Sequence, residues 1–132
     1  MPRLSDVLAE LDALWPPERA EGWDAVGTVC GDPDAVVDRV LFAVDPVHEI
    51  ADEAIRLGAQ LIVTHHPLYL RGTTTVAADT FKGRVVHTLI KHDIALHVAH
   101  TWNSVRCSRS ISSSSCSSWS ARSTSLVMIT SA

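Results

Sequence analysis

The sequence predicts an α/β fold, a partial doubly wound parallel sheet of βαβαβ order flanked by helices and followed by a disordered Ser-rich tail. Three observations carry this. Short β-branched or apolar runs end at residues 44, 64 and 100, amphipathic stretches of about eleven residues alternate with them, and the links between them are short. A chain of 132 residues is long enough to bury roughly two-thirds of its unfolded surface as one domain.

Leu4, Val7, Leu8, Leu11 and Leu14 recur at three- and four-residue steps, the stripe of an amphipathic helix. Ser5 or Asp6 is the expected cap, and Trp15-Pro16-Pro17 ends the helix because proline disfavours continuation. An extended piece, Ala25 to Cys30, follows, and Gly31-Asp32-Pro33-Asp34 is turn chemistry. Val36 to Val44 reads as a strand ending at Asp45-Pro46. Ile50, Ala54, Ile55 and Leu57 line the apolar face of a helix from Val47 to Leu57, stopped by Gly58. Gln60 to Thr64 is a short run of the kind buried on both faces of a parallel sheet. It ends at His65-His66-Pro67, and a loop runs on to Thr75. A further helix spans Phe81 to Lys91, and a last strand runs from Ile94 to His100.

Composition divides the chain into 1–101 and 102–132. Ser5 is the only serine before the division, whereas the 31 residues after it contain 13. All 15 acidic residues precede it, so the first part carries net −7 and the second, with Arg106, Arg109 and Arg122, carries +3. The first part repels phosphate and three scattered arginines make no footprint, so nucleic acid is not an expected partner. The longest unbroken apolar stretch, Val40 to Val44, is far short of the roughly 20 residues that span a membrane. With no signal-type apolar segment near Met1, the expected location is the cytoplasm. Cys30, Cys107 and Cys116 have no CxxC spacing, which argues against a zinc ribbon, and Cys30 reads as a small buried thiol.

All seven histidines fall between residues 48 and 100. His48, His87 and His92 sit on or beside helical stretches and read as solvated or hydrogen-bonded imidazoles, and His97 as a hydrogen-bonded core histidine. His65-His66 differs, because two adjacent imidazoles directly after a buried strand have no packing motive. Parallel pairing puts them on the same sheet edge as His100, the carboxyl edge where open α/β sheets place ligands. Strand neighbours point to opposite faces, but beyond the strand end the chain can curl so that both rings converge. Spacing alone leaves three roles open: metal ligation, general-base chemistry and structure.

Leu61-Ile62-Val63-Thr64-His65-His66-Pro67-Leu68, with Trp23-Asp24-Ala25-Val26-Gly27 upstream and Ala99-His100-Thr101 downstream, resembles the NIF-three-like (NGG-one-interacting-factor-three-like) dinuclear metal centre proteins. Some bacterial members of that family are called GTP cyclohydrolase I type 2. The likeness covers about the first 101 residues, with Ala25 where the family usually has asparagine. It implies His65 and His66 as metal ligands, one for each ion of a divalent pair; imidazole chemistry suits zinc, iron or nickel, with manganese less typical, and the place of His100 at another strand end on the same edge makes it a further ligand or supporting group. It also implies a homo-oligomer, often a hexamer, and metal-assisted hydrolysis.

The family's third motif continues as His-Thr-Asn-x-Asp, whose aspartate bridges the metals. Here His100-Thr101-Trp102-Asn103-Ser104 places Ser104 at the carboxylate position, and a neutral hydroxyl cannot bridge two cations. The family's last ligands, a histidine and a glutamate, have no counterpart, since no histidine, aspartate or glutamate follows His100. Loss of the motif together with the composition change points to a frameshift, or an erroneous gene assignment, after Thr101. The expectation is an incomplete site that binds one divalent ion weakly and has little activity. A rival from another class is a non-catalytic interaction module. A generic nucleotide-binding role is disfavoured, because Arg71-Gly72-Thr73 falls short of any phosphate loop.

Overall fold

The computed structural model describes residues 1–99 together with the strands at 120–122 and 125–129. In chain order the elements are α1 (Leu4–Leu14), a 3-10 turn (Pro17–Arg19), β1 (Gly27–Cys30), β2 (Arg39–Ala43) and α2 (His48–Leu57). They are followed by β3 (Leu61–Thr64), α3 (Phe81–Lys91), β4 (Ala95–Val98), β5 (Ser120–Arg122) and β6 (Ser125–Ile129). The fold is α/β, and the strands form one sheet in the order β1-β4-β3-β2-β6-β5.

The β2, β3 and β4 strands are parallel in sequential order, as expected of two crossovers through α2 and α3. Their period-two alternation sorts side chains between two cores. Leu41, Ile62 and Leu96 pack with Ile50, Ala54, Val85 and Leu89 on the α2/α3 side. Val40, Phe42, Leu61, Val63 and Ala95 pack with Leu4 and Leu11 of α1 on the other. Each parallel strand is therefore apolar on both faces, which is why the runs in the sequence are continuous rather than alternating.

The structure departs from the sequence reading in three places. First, β1 lies antiparallel on β4, so the sheet is mixed; the chain reaches β1 by a loop and not through a crossover helix. Second, β2 starts at Arg39 rather than Val36, because the preceding residues pair with the N-terminal segment. Arg3 and Val36 form an antiparallel bridge, and Val37 N–H donates to Pro2 O at 3.0 Å. Third, the N-cap of α1 is Arg3; Asp6 serves from inside the first turn, its carboxylate accepting the Arg3 N–H at 3.1 Å. Ser125–Ile129 pairs antiparallel with β2, and Ser120–Arg122 pairs with it in turn. That pairing covers the β2 edge, which otherwise presents unpaired backbone groups.

Helix ends follow the local chemistry. Gly58 takes the left-handed conformation (φ 65°) and closes α2, its N–H donating to Ile55 O at 3.1 Å. At α3 the Thr80 hydroxyl accepts the Gly83 N–H at 3.1 Å. Thr80→Ala removes this cap, with an expected cost of about 1 kcal/mol, read as a fall in melting temperature of roughly 3–6 °C. No helix among the described residues is long and apolar enough to cross a membrane.

Candidate metal centre

β3 is buried along its whole length, and the order of the site begins there. The ladder with β2 continues past the strand end: His65 N–H donates to Ala43 O at 3.1 Å and His66 N–H to Val44 O at 2.9 Å. The Thr64 hydroxyl donates to His66 O at 3.0 Å, curling the chain before Pro67. This curl brings the two imidazoles to the same place, with ring centroids 4.9 Å apart and planes tilted by 39°. His65 is buried, while 48% of the His66 side chain is exposed.

Asp45 stands at the carboxyl end of the neighbouring parallel strand, and its Oδ1 lies 2.7 Å from His66 Nδ1. In the sequence Asp45 marks only the end of a strand. The available signal was its place: a carboxylate just past the carboxyl end of a parallel strand shares an edge with whatever ends the next one. The residues present suit part of a metal site. Two imidazoles, one of them bonded to a carboxylate, match the donor chemistry of borderline divalent ions. Among the described residues, however, no three histidine, cysteine, aspartate or glutamate side chains converge as a closed site requires. His100 and Ser104, the other positions singled out by sequence, lie outside the described residues.

The remaining histidines serve elsewhere. His48 begins α2 and meets Phe81 edge-on at 5.4 Å; its buried Nε2 has no hydrogen-bond partner among the described residues. His87 is exposed, and the exposed His92 bonds Thr88 O through Nδ1 at 2.8 Å. Cys30 is half-buried, and burial pushes its thiol up, away from reactivity.

His97 is the buried, hydrogen-bonded histidine that the sequence suggests, with Nδ1 3.2 Å from Thr28 Oγ1 and Nε2 3.9 Å from Asp12 Oδ1. Burial lowers its pKa below the ordinary 6.5, and the Asp12 charge opposes this in part. The unfolded chain therefore takes up this proton first. Stability from this group is complete above the unfolded value and declines as pH falls from there toward the lowered folded value. His97→Gln is expected to flatten the acid side of a stability–pH curve measured by urea unfolding, and an unchanged slope would contradict the assignment.

Residues 2–103 match the family model described as Duf34/NIF3 (NGG1p interacting factor 3). A Streptomyces coelicolor protein named GTP cyclohydrolase 1 type 2 homolog is 80% identical over 101 residues, covering 76% of this chain and 35% of that protein. The crystal structure of Staphylococcus aureus protein SA1388 superposes with a TM-score of 0.72 at 40% identity, covering 76% of this chain and 28% of that one. A Bacillus cereus protein related to NIF3 gives 0.71 at 34% identity, with 76% and 28% covered. The chain thus spans about a third or less of the length of these relatives. On the extent of the sequence match and the shared fold, the chain belongs to the Duf34/NIF3 family.

Proposed function

We propose that this chain carries the N-terminal part of a divalent-metal centre in a cytoplasmic protein, with His65 and His66 as its ligands. The observation that carries the reading is the convergence of the two imidazoles, 4.9 Å between centroids, at the carboxyl end of a buried parallel strand. Packing does not explain it, since half of the His66 side chain faces solvent. Neutral imidazole is a good ligand for zinc, nickel or iron.

When bound, a divalent ion at this place supplies a polarised water for hydrolysis. The chain's own residues supply less. His65 and His66 bind and orient, and β3 with its neighbours holds their backbone rigid. Two imidazoles do not close a four-coordinate site. The described residues therefore hold one ion weakly and turn over little substrate, and the hydrolysis suggested by the name of the Streptomyces coelicolor relative is said of that protein. Equilibrium dialysis of the full chain against Zn2+, followed by elemental analysis, tests this. About one weakly held ion, lost on replacing either histidine, supports it; uptake that survives both replacements overturns it.

A further inference from the structure

The two histidines of the centre are held in different ways. His65 is buried, so its neighbours fix its ring. His66 is half exposed and lacks that enclosure. A long, exposed imidazole loses rotamer entropy when it binds a cation, and a ring free to choose either nitrogen presents the wrong one part of the time.

Asp45 removes that freedom. Its carboxylate lies 2.7 Å from His66 Nδ1, a length typical of a hydrogen bond to an ionised acceptor. A carboxylate has no proton to give, so the ring nitrogen facing it carries the hydrogen. The opposite nitrogen, Nε2, is then left with its in-plane lone pair. The backbone makes the contact reproducible. His66 N–H bonds to Val44 O at 2.9 Å, and Val47 N–H bonds to Asp45 O at 3.0 Å, so both partners are tied by main-chain bonds next to the contact.

We propose that Asp45 is the positioning residue of the centre: it accepts the Nδ1–H of His66, fixes that tautomer, and presents Nε2 as the nitrogen that meets the cation. The metal consequence rests on the function proposed above, whereas the tautomer does not. This exposed contact is worth little to stability, so its effect appears in the ring's tautomer and in affinity.

The experiment uses the full chain labelled with 15N at histidine, at a pH well above the imidazole range. In the metal-free protein, long-range 1H–15N spectra are expected to show His66 as the Nδ1–H tautomer, and Asp45→Ala to shift it toward Nε2–H. Asp45→Asn, whose amide oxygen still accepts, retains the Nδ1–H form. In Zn2+ titrations Asp45→Ala weakens binding roughly 10–100-fold, and Asp45→Asn weakens it less. With Co2+ at saturation, the visible bands of Asp45→Ala match those of the parent, because the ligands are the same.

An unchanged His66 tautomer in Asp45→Ala overturns the proposal whatever the metal affinity. A changed Co2+ spectrum also overturns it, by making Asp45 a ligand. A parent chain that takes up no Zn2+ overturns the metal reading instead, and the tautomer then decides the role of Asp45 alone. A melting temperature for Asp45→Ala close to the parent value shows that the comparison is made on folded protein.

Discussion

Gly31→Ala is expected to destabilise the protein more than any other single-methyl change discussed, by roughly 2–6 kcal/mol, the sum of backbone strain and overpacking. Gly31 directly follows β1 and has φ 139°, a conformation that side-chain-bearing residues rarely adopt. A Cβ there would lie 2.5 Å from Ala95 Cβ and 3.0 Å from Leu4 Cδ2. Both neighbours are buried, in the cluster that packs α1 on the sheet. The methyl would therefore separate the chain leaving β1 from β4 and from α1 at once. Against a typical total of about 5–15 kcal/mol, such a loss leaves a substantial unfolded fraction. Urea unfolding of the two proteins measures it, and a midpoint unchanged by the substitution would mean that the turn relaxes without strain.

The second large effect is on metal uptake. Replacing His66 by alanine is expected to lower Zn2+ affinity more than about 100-fold, beyond the roughly 10–100-fold that the loss of a supporting residue costs. Stability should barely move, within about 0.5 kcal/mol, because the side chain is half exposed. His65→Ala should match the loss of affinity and add a stability cost of about 1–3 kcal/mol for emptying a buried position. The pair of measurements separates ligation from packing. If both variants lose affinity only as far as they lose fold, the histidines are structural.

The parts of the molecule governed by local chemistry are legible in the sequence. The α1 stripe, the Gly58 stop, the buried Leu61–Thr64 strand and the α3 boundaries appear where the spacing of apolar residues places them. That His65 and His66 can converge follows from their place just past a strand end, whereas the convergence itself is fixed by their main-chain bonds to Ala43 and Val44. What escaped depends on pairing between distant segments. Val36 and Val37 look like strand residues, yet their partner is the N-terminal segment, so β2 starts three residues later. The direction of β1 is set by what it lies against, and no periodicity encodes that.

Gly31 illustrates the same limit. Its place in Gly31-Asp32-Pro33-Asp34 marks a turn, but the approach of Ala95 that makes alanine intolerable comes from 64 residues further along the chain. Asp45 escaped because its contact crosses from one strand end to the next. His97 was legible as a buried, hydrogen-bonded group, while its partners Thr28 and Asp12 come from β1 and α1. The pairing of Ser125–Ile129 with β2 is likewise a contact between distant segments.

The proposed centre is one in which His65 and His66 together hold a divalent ion and the described residues complete less than a full site. It is tested most directly by elemental analysis of the full chain after equilibrium dialysis against Zn2+, beside the His65→Ala and His66→Ala variants. At most one ion per chain is expected, readily removed by a chelator and absent from both variants. Two tightly held ions per chain, or the same uptake with either histidine replaced, would contradict it.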